Sequence, residues 1–416
     1  MPSIVPKSVV AAVKKTTVRV TLAFVAVQAT VIAGLVVFDA LKRRQRTQRT
    51  GFPRPGTFDA TVADSDTKIY TYGEDLYDDM VAAIDGATEQ VLLETYIWKS
   101  DDTGTRFKEA LNSAARRGVD VFVVYDGFAN LVVPPSFYDF HPDVHVYRFP
   151  VLRPSRLFTP LRSTGLDHRK LLVVDGRTAF AGGYNIGDLY ATEWRDTHLR
   201  VHGPAAWELR QAFLDVWNTA YGRPEIPYRR PETWDPHLRA ANNMPSHLVY
   251  PIRGLYLDAI NRASDHIYIT TAYFIPDRQI LQSLLAASRR GVDVRLIVPE
   301  DSNHVLADWL ARGFFTSMLE EGITVLLYRD AMIHAKTATI DGQWTTIGTA
   351  NIDRLSLTGN YETNLEIHDE EVAEKMQEIF EVDSSNCRQL TLAEWKNQNP
   401  AAKFSELVLI PLRPIL

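Results

Sequence analysis

Two histidines and two lysines recur at one spacing. His168-Arg169-Lys170 precedes Asp175, and His334-Ala335-Lys336 precedes Asp341, so both segments read H-x-K-x4-D. Composition alone predicts roughly 0.02 chance matches to this pattern in such a chain. The register continues downstream: Asn185 and Asn351 each lie 17 residues after their His, and Asp196 and Glu362 each lie 28 residues after it. Neutral imidazole can attack phosphorus, and protonated imidazole can donate a proton to a leaving oxygen. Two histidines can split those tasks and then exchange acid for base when the next nucleophile arrives. Both work near neutrality because an unperturbed His titrates near pH 6.5. Lys170 and Lys336 would offset charge on the non-bridging oxygens of a phosphate, and Asn185 and Asn351 would donate hydrogen bonds to them. With that donor capacity no metal ion is needed, and no cofactor is expected. Asp196 and Glu362 would orient the imidazoles and fix their tautomers.

Asp175 and Asp341 complete the motif and stand as candidates for catalysis. Each also precedes Gly, so a turn-shaping role fits the same residues. Gly182-Gly183 and Gly348 precede the asparagines, where glycine permits either a tight turn or close approach of backbone to phosphate.

The elements that must position these groups repeat as well. Gln90–Trp98 reads as a strand, followed by a helix-like stretch and Arg116-Arg-Gly-Val-Asp-Val121. His266–Ile275 reads as a strand, followed by a helix-like stretch and Arg289-Arg-Gly-Val-Asp-Val294. Each Gly falls where a helix would end, and a buried strand follows. Strand–helix–strand order predicts parallel pairing in α/β layers. KLLVVD after His168 and KTATID after His334 predict further strands, with His and Lys of each motif on one face. The expected domains are a membrane anchor and basic linker over 1–56, a first half over 57–225, a linker over 226–245, a second half over 246–385 and a tail over 386–416. The tail's apolar end, Leu407–Leu416, is expected to pack on the body or to touch a bilayer.

A chain of 416 residues exceeds the size of one ordinary core, which agrees with a duplicated domain. Its single cysteine, Cys387, excludes an intramolecular disulfide. The net charge of −6 conceals an asymmetry. Residues 1–54 carry ten Lys/Arg and one acidic residue, whereas the remainder carries 35 basic and 50 acidic residues. An acidic body argues against extended nucleic-acid binding, which needs many cationic contacts to phosphate. Val20–Phe38 is an apolar run that, as a helix, would span about 28 Å, close to the hydrocarbon core of a bilayer. An uncleaved single-pass anchor is expected at about residues 20–38. Six Lys/Arg follow the run, from Lys42 to Arg54, and four precede it, from Lys7 to Arg19. The positive-inside bias then favours a cytoplasmic body on a cell membrane, and the Lys42–Arg49 collar would attract anionic lipid.

The doubled motif resembles the signature of the phospholipase D superfamily. HRKLLVVDGRTAFAGGYNIGDLYATEWRDTHLRVHGPA from His168, with TTAYFIPD, RRGVDVRLIVPE and HAKTATIDGQWTTIGTANID in the second half, is similar to the bacterial cardiolipin synthase branch. Asn360 and Glu362 match its N-x-E. Asn351-Ile-Asp353-Arg354-Leu-Ser356 departs from its N-x-D-x-R-S by placing Arg one position early. The resemblance covers about residues 65–385. It implies two α/β halves about a pseudo-two-fold axis with the active site between them, and a covalent phosphatidyl-histidine. It further implies attack by His168, with His334 as acid and then base, and the joining of two molecules of the anionic lipid phosphatidylglycerol into cardiolipin with release of glycerol. Hydrolysis of phospholipids to phosphatidic acid, or another phosphodiesterase activity, shares the first half-reaction and stays open at this point.

Overall fold

The computed structural model describes residues 7–45, 51–150, 165–220, 222–230 and 235–412. Two eight-stranded sheets dominate it. The first runs in the order Thr57–Val62, Ser65–Tyr70, His198–His202, Thr178–Gly182, Leu171–Val174, Gln90–Thr95, Asp120–Asp126 and Val144–Phe149. The second runs Leu238–Asn243, Glu362–His368, Trp344–Gly348, Lys336–Ile340, His266–Thr271, Asp293–Pro299, Thr324–Tyr328 and Cys387–Gln389. The predicted parallel pairings are present. Gln90–Thr95 lies parallel to Asp120–Asp126 through the helix Asp102–Arg116, and His266–Thr271 lies parallel to Asp293–Pro299 through the helix Arg278–Arg289. The two helices begin alike: the side chain of Asp101 accepts from Gly104 N and that of Asp277 from Gln279 N and Ile280 N, so each caps the first turn. They end alike on Gly118 (φ 87°) and Gly291 (φ 93°), in the left-handed region that favours glycine after a helix.

The strand that follows each H-x-K motif enters its sheet antiparallel. Glu94 pairs with Leu171 and Thr271 with Lys336. Both motifs therefore arrive at the carboxyl ends of the parallel strands, and the loops leaving those ends surround them. The halves meet through the strands beyond the motifs. Ala179, Ala181, Leu199 and Val201 of the first half share one buried cluster with Ile347, Leu365 and Ile367 of the second.

Two expected boundaries move. Leu238–Asn243, assigned to the linker, pairs antiparallel with Glu362–His368 as an edge strand of the second sheet. Cys387–Gln389, assigned to the tail, pairs with Leu326–Tyr328 at the opposite edge. The tail continues as the helix Pro400–Leu409, which packs on the helix Val305–Glu320. At the amino end Lys7–Gln45 is one helix, and its Lys14–Leu41 section is long and apolar enough to cross a membrane. Ile32 and Leu35 of this helix pack with Leu310 and Leu409. The side chain of Gln28 donates to Val408 O at 3.0 Å, in the last turn of the tail helix, where carbonyls lack intrahelical donors. The side chains of the Lys42–Arg49 collar lie outside the described residues.

Candidate active site

The two histidines are oriented crosswise. His168 Nδ1 lies 2.9 Å from Glu362 Oε2, and His334 Nδ1 lies 2.6 Å from Asp196 Oδ2. Each imidazole thus meets the carboxylate of the other half. Backbone pairing enforces the exchange. His168 N donates to Tyr361 O at 3.0 Å, the residue before Glu362, and His334 N donates to Arg195 O at 2.6 Å, the residue before Asp196. With Nδ1 engaged by a carboxylate, Nε2 is the ring nitrogen left for chemistry. Lys170 Nζ donates to His168 O at 2.6 Å and Lys336 Nζ to His334 O, which holds His and Lys of each motif together. Asn185 Oδ1 accepts from Ile97 N at 3.2 Å, leaving its amide hydrogens to donate. Asn351 is buried, and its Oδ1 has no partner among the described residues.

Lys170, Asp196, His334, Lys336 and Glu362 are buried and His168 is mostly so, and burial sets their protonation. Burial pushes the Glu362 carboxyl up to about 7 against the pull of Lys170, and the Asp196 carboxyl up to about 6 against Lys336. Burial brings Lys170 down to about 7 and Lys336 down to about 8, opposed first by Glu362 and by Asp196 respectively. Both imidazoles fall well below the usual value, chiefly from burial and then from the two lysines. At neutral pH the resting site holds two neutral imidazoles, a mostly ionised Asp196 and a mostly cationic Lys336, with Glu362 and Lys170 each near half-charge. An incoming phosphodiester monoanion would meet the lysine charge and draw protons toward the histidines.

Asp175 and Asp341 do not join the cluster, which corrects the expectation of a catalytic role. They lie at the far ends of the strands their motifs begin, about 16 Å along the backbone from Lys170 and Lys336 at ordinary strand rise. Asp175 accepts from Thr88 N, Thr88 Oγ1, Glu89 N and Gln90 N at 2.8–2.9 Å. Asp341 accepts from Ser264 N, Ser264 Oγ, Asp265 N and His266 N at 2.8–3.1 Å. Burial pushes both carboxyls up, but these donors hold them below the ordinary value. Each fastens the start of the neighbouring parallel strand, and each has positive φ, as turn-forming Asp tolerates.

Sequence reasoning missed several neighbours. Tyr96 meets the His168 ring edge-on with centroids 4.6 Å apart, and Trp194 lies 4.9 Å from the His334 ring. Thr349 Oγ1 donates to Glu362 Oε2 at 2.6 Å. Arg195 makes a buried two-pronged ion pair with Asp383 at 2.9 and 2.8 Å, tying the segment that carries Asp196 to the second half. None of these recurs at the repeat offset, so the doubled register could not reveal them. Gly183 proved to serve the carboxylate: a Cβ there would lie 1.9 Å from Asp196 Oδ1. Among the described residues no group of three or more His, Cys, Asp or Glu is arranged to hold a metal ion.

The profile of the family described as "Cardiolipin synthase, PLD-like domain" matches residues 80–217 and 256–384, one segment in each half. The chain belongs to this family. It is 32% identical over 368 residues to a cardiolipin synthase of Listeria monocytogenes, covering 85% of this chain and 76% of that one. It is 33% identical over 375 residues to a cardiolipin synthase of Staphylococcus aureus, covering 85% and 74%. Among solved structures, phosphatidylserine synthase of Haemophilus influenzae superposes with a TM-score of 0.63 at 14% identity, covering 84% of this chain and 93% of that one. That likeness extends the two-half fold of this PLD-like family across nearly the whole body.

Proposed function

We propose that the protein is a membrane-bound phosphatidyltransferase that makes cardiolipin from two molecules of phosphatidylglycerol through a phosphatidyl-histidine. The observation that carries this reading is the crossed pairing of His168 with Glu362 and His334 with Asp196, which supplies two oriented imidazoles to one cleft. Relatives named cardiolipin synthase, matched along 85% of the chain, support the product.

In the first step His168 Nε2 attacks the phosphorus of one phosphatidylglycerol. The P–O bond to the head-group glycerol breaks, and His334 protonates the departing alkoxide. In the second step His334 removes a proton from the head-group hydroxyl of another phosphatidylglycerol. The new alkoxide attacks phosphorus, the P–N bond breaks, and cardiolipin leaves. Lys170, Lys336, Asn185 and Asn351 stabilise the non-bridging oxygens in both steps. The assignment of His168 as nucleophile follows its place in the first of the two motifs, to which the family resemblance gives the attack, and leaves His334, held by Asp196, as acid and then base. The apolar amino-terminal helix would cross the membrane once with the body on the cytoplasmic side, as the flanking charges favour. It would keep the site among lipid alcohols at high effective concentration, which favours transfer over hydrolysis.

The test is lipid-product analysis with the purified protein in phosphatidylglycerol vesicles. Cardiolipin and glycerol in equal amounts are expected. Phosphatidic acid alone would replace the synthase with a hydrolase.

A further inference from the structure

The loops that leave the carboxyl ends of the parallel strands rim the site, and the pseudo-two-fold relation pairs them. Gly127, just after Asp120–Asp126, donates from its N to Phe149 O at 2.9 Å. Glu300, just after Asp293–Pro299, donates from its N to Tyr328 O at 2.9 Å. The segments that begin at Gly127 and Glu300 are therefore equivalents. In the second half that segment leads into the helix Val305–Glu320, whose Leu306 and Leu310 pack with Ile32 and Leu35 of the spanning-length helix. In the first half, among the described residues, no spanning helix covers the equivalent loop, and Phe128, Leu131 and Val132 are 50%, 59% and 82% exposed.

This loop is not built like a solvated one. Residues 127–138 carry no charged side chain. The polar groups at its base are turned inward. Asp126 Oδ1 accepts from Phe128 N and Ala129 N, both at 2.8 Å. Asn130 Nδ2 donates to Tyr96 O and Asp126 O, while its Oδ1 accepts from Trp98 N. Asp126 Oδ2 also accepts from Asp167 N, the neighbour of His168. The loop is thus tied to the segment that carries His168, and the amides of Phe128, Ala129, Leu131 and Val133 are already paired, which lowers the cost of entering a low-dielectric medium. Two further apolar points agree. Leu189 and Leu355 occupy matching positions, four residues after Asn185 and Asn351, and both are exposed at the same strand ends.

We propose that the Phe128–Val133 loop enters the phospholipid bilayer, so that the mouth of the site rests on the membrane between two apolar rims, one loop-borne and one held by the anchor helix. Continuity with the anchored rim, together with the absence of charge, favours a lipid surface over a protein partner. The inference rests on the reading that the substrate is a bilayer phospholipid, and it adds how that lipid reaches the histidines without leaving the membrane.

The test uses the full chain with Cys387→Ser, a single cysteine at position 132 or 89, and an environment-sensitive fluorophore. The protein is reconstituted in vesicles of phosphatidylglycerol and phosphatidylcholine. Glu89, at the opposite end of the strand Gln90–Thr95, is the control. The Val132→Cys probe should be blue-shifted and quenched by acyl-chain-brominated phosphatidylcholine, while the Glu89→Cys probe should respond only to aqueous iodide. Equal iodide quenching at both positions would overturn the proposal. So would a blue shift at position 132 that grows with protein density and ignores brominated lipid, which would assign the loop to a second copy. The pair Leu131→Asp and Val132→Asp should lower turnover of vesicle lipid at least tenfold and leave turnover of monomeric short-chain lipid unchanged. Equal loss on both substrates would contradict it. Lipid quenching with phosphatidic acid as the only product would keep the docking and remove the synthase. Cardiolipin formation with an iodide-accessible position 132 would do the reverse.

Discussion

The two halves place their histidines alike and surround them differently. Under His168 the first half buries ionic groups: Arg169 bonds Glu94 Oε1 at 3.0 and 2.5 Å and Ala212 O at 2.6 Å, with Asp167 beside it. At the equivalent positions the second half has Ala335, Thr270 and Ile333, and buries no charge. The orienting carboxylates differ too. Glu362 accepts from Thr349 and lies 3.4 Å from Asn360 Nδ2, whereas Asp196 turns its second oxygen to Thr197 N and sits against Gly183. Geometry is therefore duplicated while chemistry is not. The proposed two-step transfer asks one imidazole to attack while the other carries the proton, and these unlike surroundings are where that division would arise.

The sharpest way to break that comparison is to remove each imidazole in turn. His168→Ala and His334→Ala should each lower turnover of phosphatidylglycerol by about 10⁴-fold or more, the scale seen when a nucleophile or its acid–base partner is lost. They should part on a phosphatidyl ester of p-nitrophenol, whose leaving group needs no acid. His334→Ala should still release one equivalent in a burst, and His168→Ala should release none. A burst from His168→Ala would exchange the roles.

Next come the carboxylates. Glu362→Gln and Asp196→Asn should each cost about 10²–10⁴ in kcat, because the imidazole loses its tautomer and its counter-charge. Gly183→Ala should resemble Asp196→Asn, since the added methyl occupies the carboxylate's place. Wild-type kcat in Gly183→Ala would refute the tight seat.

The pH profile tests the difference between the carboxylates more finely. A carboxylate orients imidazole only when ionised, so kcat/KM should rise with pH as Asp196 and then Glu362 lose protons near 6 and 7. It should fall as the lysines lose theirs, Lys170 near 7 and Lys336 near 8, which leaves a narrow optimum near neutrality. In Glu362→Gln the rise should move to lower pH, leaving the Asp196 limb. An unmoved acid limb would detach Glu362 from the profile.

The smallest effects belong to the motif's aspartates, where the halves are alike. Asp175→Asn and Asp341→Asn should each destabilise the fold by about 1–3 kcal/mol in denaturant titration, because each weakens charge-assisted bonds to the start of a strand. Once corrected for folded fraction, kcat should stay near wild type. A large loss of kcat in one alone would return that Asp to the site.

Much of the site was legible because duplication writes the same chemistry twice: His, Lys, Asn and a carboxylate recur at fixed offsets. The crossing of the pairs was not legible, since it arises from how one half docks on the other. The aspartates stood open between catalysis and turn-shaping for a related reason. Fixed spacing from His168 to Asp175 reflects one strand's length, and spacing cannot tell which end of the strand does chemistry. Leu238–Asn243 escaped notice because LRAANN lacks β-branched residues and sits at an edge, where pairing to Glu362–His368 supplies what propensity does not. Tyr96 and Thr349 answer to local packing in one half and the Arg195–Asp383 pair to the docking of the halves, so no repeat announced them.

The central claim is that one cleft built by both halves transfers a phosphatidyl group through His168. The most direct measurement is acid or denaturant quenching of the full protein during turnover of head-group-intact phosphatidylglycerol labelled in its acyl chain, followed by peptide mapping. The account predicts label bound through nitrogen to the peptide containing His168 and none on the peptide containing His334. Label on His334, or turnover with no labelled histidine, would contradict it.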